Sequence, residues 1–279
     1  MPSLTAMERR KQKFSQESIN RIKGNYLLDA SLLSRSHQDS NLNILLTDQT
    51  EREVFLAQIK ETDSLDLKEH GLRKLREIIV SIFESHKDDH KFTQLIKECY
   101  QLSYNLFLNQ KKFNQIGGIV LSFLVENMSD LAKDLGFLQL YILYLSHWEN
   151  DILKSIDTLQ RYRDLVPDEE YKCLMQLCLT FCEGTNPPNE WFQLLNYYKN
   201  NKLIMEFFTK TSIISQMQKN CLAMCQKSYN QLSSEVFNDL WLNNIPLESE
   251  LEQTARNSFA FETLSNGSEM MYFKKKPVV

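Results

Sequence analysis

The sequence predicts a mostly α-helical protein that ends in a small module of helices and strands. Glycine and proline are scarce, at 7 and 6 residues of 279, so few sharp turns are specified. Apolar residues recur at helical spacing from Thr47 to Tyr229. After Tyr229 the pattern changes, and two short apolar runs flank Asn266-Gly267, the strongest local signal for a β-hairpin.

Composition and charge narrow the class of protein. The formal net charge of −4 argues against a protein that coats nucleic acid through a generally basic surface. No apolar run approaches the roughly 18 residues that span a membrane. The most apolar run, Phe137–Leu145, is predicted to be an internal helix buried on several sides. Residues 1–23 are basic and lack the apolar core of a secretory signal, so we expect a nuclear or cytoplasmic protein with reduced cysteines.

Three segments differ in composition. Residues 1–46 are rich in basic and small polar residues and are interpreted as a flexible arm, which either binds a partner or keeps the chain in solution. Residues 47–210 are predicted to form a helical-repeat array. Residues 211–279 are predicted to contain a connecting helix and a compact C-terminal module.

The array is expected to be a short solenoid of helical hairpins, similar to tetratricopeptide repeats, because short turns make successive helices antiparallel. Gly117-Gly118 lies inside a helical pattern and is predicted to allow close approach of another helix. The predicted helices are 50–61, 68–85, 91–109, 113–126, 130–148, 151–165, 168–182, 189–199, 202–209 and 211–229.

The C-terminal module is predicted to be a winged helix. Residues 231–233 form a short extended segment, Ser234 caps a helix over 235–242, and Pro246 opens a helix over 247–257. Residues 259–263 and 269–273 then form the hairpin. Strand, helix, helix and hairpin follow one another in the order of a winged helix.

The sequence contains no motif for catalysis or cofactor binding. Phosphate-binding, dinucleotide-binding, serine-hydrolase and zinc-protease signatures are absent, and we predict no catalytic residue, cofactor or metal ligand. A helical enzyme whose active site follows no motif remains the alternative. Two cysteine pairs, Cys178/Cys182 and Cys221/Cys225, have i, i+4 spacing at apolar-face positions, which favours buried thiols over a zinc site. The cluster His86–His90 is predicted to be a solvated turn.

Groove recognition of DNA by the second helix of the module is disfavoured. That helix carries Glu248, Glu250 and Glu252 against Arg256, and phosphates would repel it. Weak nucleic-acid contacts are assigned to basic residues at both ends of the chain, although the terminal lysines are better explained as protection of an edge strand. These basic residues are Arg9, Arg10, Lys11, Lys13, Lys274, Lys275 and Lys276.

Several segments resemble the PCI domain, and within it the GANP/Sac-three family. Residues 174–182 followed by 189–195 resemble two consecutive helices of that family, and 221–229 resembles its helix with the pattern Ala-Leu-x-x-Met-Cys-x-x-Tyr. Residues 259–273 resemble its closing hairpin. Residues 48–53 resemble its N-terminal Cys-Pro-x-x-Glu-Arg motif, but the cysteine and proline are missing.

The resemblance implies a non-catalytic scaffold subunit of a multiprotein complex, most similar to nuclear mRNA-export assemblies of the TREX type. A subunit of the proteasome lid or of a COP-type signalosome is the alternative. The implied partners are a second PCI subunit bound through the winged helix, a small acidic DSS/Sem-type peptide and RNA.

The closing hairpin is the predicted partner-binding surface. Its apolar residues alternate between both faces, so one set is expected to face the core and the other an edge available for a sheet-to-sheet interface. The candidate partner-binding residues are Trp241, Phe259, Phe261, Met270, Tyr272 and Phe273.

Overall fold

The computed structural model describes Tyr26, Leu27, residues 42–182 and residues 187–274, with backbone alone for Leu42 and Cys182. This part of the chain is mostly helical and contains one small three-stranded sheet towards its C-terminal end, as predicted. The chain divides into two compact units, residues 1–110 and 111–279. The boundary expected at residues 210/211 therefore falls within the second unit.

The first unit is built from four described helices. They are α1 (Leu42–Thr47), α2 (Gln49–Glu61), α3 (Leu65–His86) and α4 (His90–Asn109). Each of the last three begins after a residue whose side chain accepts hydrogen bonds from main-chain N–H groups of the first turn, which supplies partners that a helix start otherwise lacks. These capping residues are Asp48, Ser64 and Asp89.

The helical part of this unit begins earlier than predicted. The flexible arm was expected to extend to residue 46, but α1 begins at Leu42 and the side chain of Leu45 is fully buried. The guanidinium of buried Arg52 donates to the carbonyls of Leu45 and Leu46, at 2.8 and 3.2 Å. These bonds satisfy carbonyls at the C-terminal end of α1, where a cation is also favoured by the helix dipole.

The turn between α3 and α4 agrees with its prediction. His86 ends α3, Asp89 caps α4, and residues 87–89 between them are exposed. Next to this turn, the imidazole of His86 packs against Phe92 at 5.6 Å between ring centroids.

The second unit begins with a helical stretch that contains a π-helical turn. Its helices are α5 (Phe113–Gln115), α6 (Ser122–Asn127), α7 (Ser129–Asp134), α8 (Phe137–His147), α9 (Ile152–Arg161), α10 (Asp168–Cys182), α11 (Pro188–Leu195), α12 (Lys202–Lys210) and α13 (Ile213–Ser228). The π-helical turn Ile116–Leu121 joins α5 to α6.

One predicted helix is wrong in its extent. Residues 130–148 were expected to form a single helix, but the chain breaks at Gly136, whose φ is +72°. The N–H of Leu135 bonds to the carbonyl of Leu131 and that of Gly136 to Lys133, which ends α7 before α8 begins. Glycine adopts this left-handed conformation without the steric cost of a Cβ atom. The other sequence boundaries agree to within a few residues, and the predicted helices 151–165 and 189–199 end in 3₁₀ turns.

Helix α8 is the internal helix that its composition predicted. Its side chains are buried almost all round, from Phe137 to His147. Gly117 allows the close approach that was expected of the glycine pair, because a Cβ atom there would lie 1.9 Å from the Tyr144 ring. Gly118 has open space instead, so only the first glycine of the pair is needed for packing.

The C-terminal part contains the predicted hairpin. Strands β1 (Gln231–Ser233), β2 (Ala260–Thr263) and β3 (Glu269–Tyr272) form an antiparallel sheet in the order β1-β3-β2. Between β1 and β2 lie α14 (Ser234–Val236), a π-helical turn (Phe237–Trp241) and α15 (Ser249–Ser258). The turn at Asn266-Gly267 has the positive φ of +83° at glycine that such turns favour.

None of the helices in the described ranges is both long enough and apolar enough to cross a membrane.

Candidate functional site

The two faces of the three-stranded sheet have different surroundings. Leu232 of β1 and Phe261 of β2 both lie opposite Met271 of β3, and Met271 is only 3% exposed. This inner face packs towards α15. Met270 and Tyr272 alternate with Met271 and therefore lie on the outer face, where both are partly exposed. The expectation that one set of hairpin residues faces the core and the other faces away is confirmed.

The sheet order corrects one expectation about this surface. Because β3 pairs with β1 on one side and β2 on the other, Met270 and Tyr272 stand on the central strand and not on an edge. Within the sheet the edges are β1 and β2. The sequence predicted the extended segment 231–233, the hairpin and their winged-helix order. Local patterns did not identify the pairing partner of β1, since Gln231 lies far from β3 along the chain.

The six candidate partner-binding residues separate into two groups. Phe273 is buried and packs edge-to-face against Phe259, with ring centroids 5.0 Å apart, so this pair closes the core. Phe261 lies inward, beneath the guanidinium of Arg256 at 4.9 Å. Met270 and Tyr272 lie on the outer face. Of the six candidates only Phe273 is buried, and the other five are partly exposed.

Tyr272 carries a polar contact on the outer face. Its hydroxyl donates to the Glu262 carboxylate at 2.9 Å, across from β3 to β2. The residues beside Met270 and Tyr272 on the neighbouring strands are small or polar, so the face is flat with two larger side chains at its centre. These neighbours are Gln231, Ser233, Ala260 and Glu262.

A second exposed apolar surface lies at the π-helical turn. Tyr229 packs edge-to-face on Trp241, with centroids 6.1 Å apart, while Val236 and Leu240 stand about one turn apart on the same helical stretch. Leu240 is 61% exposed. We call Tyr229, Val236, Leu240 and Trp241 the apolar ridge. Of these four residues, only Trp241 was a candidate from the sequence. The apolar pair at 236 and 240, in a predicted helix, is the sequence signal for Val236 and Leu240.

Polar contacts hold the loop before α15 against α13. The side chain of Gln218 is fully buried; its amide donates to the carbonyl of Pro246 at 2.8 Å and its oxygen accepts from the N–H of Glu248 at 3.0 Å. The Asn243 side chain donates to the carbonyl of Phe192 at 3.4 Å. The loop is therefore fixed to both α13 and α11.

A cleft of about 380 Å³ opens between α15, this loop and the inner face of the sheet. Its charged groups pair with one another: Arg256 donates to Glu269 at 3.0 Å and to Glu252 at 3.2 Å, and Ser234 donates to Glu269 at 3.0 Å. The pKa of Glu269 is lowered mainly by the hydrogen bond from Arg256, and also by the one from Ser234. The hydrogen bond to Glu269 is in turn the main cause that raises the pKa of Arg256. The cleft therefore presents no unneutralised cation to an anionic ligand.

One cluster in the second unit combines a histidine, a thiol and two hydroxyls. Ser146 donates to the Cys178 sulfur at 3.2 Å, and Ser155 lies 3.5 Å from the same atom. Nε2 of His147 accepts a hydrogen bond from the Trp191 indole at 3.0 Å. Burial lowers the pKa of His147 to about 3 and raises the pKa of the Cys178 thiol. Burial disfavours the thiolate form of Cys178, and the hydrogen bond from Trp191 occupies Nε2 of His147. The cluster is therefore suited to core packing.

Cysteine burial agrees with the prediction. Cys178, Cys221 and Cys225 are buried free thiols, and burial raises the pKa of each. The Cys182 side chain lies outside the described part. Among the described residues there is no group of three or more histidine, cysteine or acidic side chains placed to hold a metal ion.

Of the basic residues suggested as nucleic-acid contacts, Lys274 is described, and it is exposed. The others, Arg9, Arg10, Lys11, Lys13, Lys275 and Lys276, lie outside the described residues. On α15 the acidic character expected from the sequence is retained, since its one arginine is paired with Glu252 and Glu269.

Comparison of the chain with protein-family models, curated proteins and solved structures finds no match.

Proposed function

We propose that this protein is a non-catalytic scaffold subunit of the PCI type, in which the C-terminal three-stranded sheet belongs to a winged helix. The order of elements carries the proposal: a long helical array is followed by β1, two helical segments and the β2–β3 hairpin, with β3 between β1 and β2. That order and that strand arrangement support the winged-helix assignment, and a helical array followed by a winged helix is the arrangement expected of a PCI protein.

The partner surface is the outer sheet face together with the apolar ridge. Met270 and Tyr272 at the centre of the face are partly exposed, Leu240 on the ridge is exposed, and the loop of this module is hydrogen-bonded to Gln218. Exposed apolar and aromatic side chains on a rigid element are typical of protein–protein interfaces. A second PCI subunit is the proposed partner, in an assembly most similar to the mRNA-export scaffolds of the GANP/Sac-three class.

A protein partner fits this module better than DNA. The side chain of Arg256 is already bonded to two carboxylates, and α15 carries Glu250 and Glu252 in its first turn. Phosphates approaching that helix would meet uncompensated negative charge.

The test is affinity purification of the tagged full-length chain from its native organism, followed by mass spectrometry. We expect stoichiometric recovery of at least one other PCI-domain protein. Recovery of mRNA-export subunits would support the proposed class, whereas proteasome-lid or signalosome subunits would replace it with the alternative. Isolation of a monomer, with no PCI-domain protein recovered under gentle conditions, would contradict the scaffold function itself.

A further inference from the structure

The first unit holds a short piece of the chain that precedes α1, the first of the described helices. Tyr26 and Leu27 are buried, at 9% and 7% exposure, although residues 28–41 separate them from α1. Their contacts are with α2 and α3.

The aromatic residue of this segment is recognised at both ends of its side chain. The Tyr26 ring packs edge-to-face on Phe55 of α2, with centroids 5.5 Å apart. Its hydroxyl donates to the Glu51 carboxylate, one helical turn away, at 2.8 Å. Burial and this hydrogen bond together raise the pKa of Tyr26 to about 12. The site therefore distinguishes tyrosine from both an aliphatic residue and a phenylalanine.

The main chain and the next side chain are also recognised. The ammonium of Lys74, a side chain that is 1% exposed, donates to the main-chain carbonyl of Tyr26 at 2.9 Å. Leu27 packs over Gly71 of α3, where a Cβ atom would lie 2.7 Å from its Cδ2 methyl. Glycine at this position leaves room for the leucine side chain. The hydrogen bond from Lys74 holds the main chain of the segment and does not depend on the identity of its side chains.

We propose that the α2–α3 groove is a peptide-docking site, specific for a tyrosine followed by an aliphatic residue, which the chain fills in cis with its own Tyr26–Leu27. The groove consists of Glu51, Phe55, Gly71 and Lys74. Binding of a peptide in trans requires the Tyr26–Leu27 segment to leave the groove. Release exposes the Phe55 ring and the main-chain-binding ammonium to a competing peptide of the same pattern.

The experiment uses the full chain and a fluorescently labelled peptide of residues 20–33. In the double variant Tyr26→Ala/Leu27→Ala the groove is no longer filled in cis. We expect the peptide to bind this variant, as measured by fluorescence anisotropy, and to bind the wild-type chain at least tenfold more weakly. A control peptide carrying the same two alanines should not bind either protein.

A second comparison locates the bound peptide. A peptide with Tyr26→Phe lacks the hydroxyl that reaches Glu51, so it should bind the double variant roughly twofold to tenfold more weakly than the parent peptide. Adding Glu51→Ala to the protein should remove that difference. Circular dichroism establishes that each variant is folded.

Two results would overturn the proposal. The first is a folded double variant that fails to bind the peptide at millimolar concentration. The second is equal binding to wild-type and variant chains, which would place the peptide somewhere other than the groove that Tyr26–Leu27 occupies. Neither result bears on the C-terminal sheet, so failure here is distinguishable from failure of the proposed scaffold function.

Discussion

The indole of Trp191 donates a hydrogen bond to Nε2 of His147 at 3.0 Å in the core of the second unit. The same imidazole lies between Phe181 and Phe208, with centroid distances of 4.2 and 5.0 Å, and Nδ1 is 3.1 Å from the carbonyl of Leu143. The neutral form with its proton on Nδ1 satisfies both contacts. A second proton on Nε2 would point at the indole N–H, so the folded state strongly disfavours the imidazolium form.

Stability is therefore expected to depend on pH through His147. Burial lowers its pKa to about 3 in the folded state, against about 6.5 when unfolded, so the unfolded chain binds the additional proton first. The contribution of neutral His147 to the free energy of unfolding is fully present above pH 6.5. It is lost as the pH falls towards 3, by up to about 1.4 kcal/mol per pH unit. Urea unfolding between pH 7 and 4.5 measures the effect.

The matched variants for this prediction are His147→Gln and His90→Gln. Glutamine at 147 keeps a donor and an acceptor but does not titrate, so its unfolding free energy should vary less with pH than that of the wild type. His90 is exposed, and its replacement is the control for loss of a histidine at the surface. An unchanged slope in His147→Gln would show that other groups control acid stability.

The glycine pair in the π-helical turn provides a second prediction. Gly117→Ala should destabilise the protein by about 1–3 kcal/mol, because the new methyl group would overlap the Tyr144 ring. Gly118→Ala is the control: its Cβ meets open space, and the gain in helix propensity should make it neutral or stabilising by up to about 1 kcal/mol. Thermal unfolding of both variants decides the matter, and equal effects would contradict the packing of Gly117 on Tyr144.

Serine substitutions at the two buried thiols of α13 should differ in cost. Cys221→Ser was expected from the sequence to cost about 1–3 kcal/mol through a poorly paired hydroxyl. The Cys221 sulfur lies 3.5 Å from the carbonyl of Trp241, which offers a serine hydroxyl an acceptor. Within the described part of the chain, no hydrogen-bond partner is found for the Cys225 sulfur. Cys225→Ser should therefore be the more destabilising of the two. Stoichiometric zinc in the purified protein would instead show that these cysteines are metal ligands.

Charge on the outer sheet face should separate folding from partner binding. Tyr272→Asp places a carboxylate beside Glu262 on the outer face, so it should leave the circular dichroism spectrum intact and abolish co-purification of the proposed PCI partner. Phe273→Asp is the matched change one residue along, where the side chain is buried against Phe259, and it should unfold the module. Full partner affinity in a folded Tyr272→Asp variant would leave the hairpin as a structural closure only.

Local patterns predicted much of this molecule. The apolar run Phe137–Leu145 is buried because it has no polar face to expose, and Asn266-Gly267 forms its turn because glycine reaches a positive φ without strain. The break at Gly136 was missed, since a lone glycine inside a periodic pattern is also tolerated in a continuous helix. The π-helical turns were missed as well, because their side-chain spacing is too close to that of an α-helix to distinguish over five or six residues.

The sequence by itself determined the helical class, the hairpin and the alternation of its residues between two faces, because each depends on neighbours a few positions apart. Which of the two sets faces the core was decided by the tertiary structure. Tertiary structure decided which strand became central, which of two adjacent glycines supports packing, and where Tyr26–Leu27 docks. These features depend on contacts between residues tens of positions apart, such as Gln231 with Tyr272 or Lys74 with Tyr26. Local periodicity carries no information about such pairs, since it is the geometry of packing that brings them together.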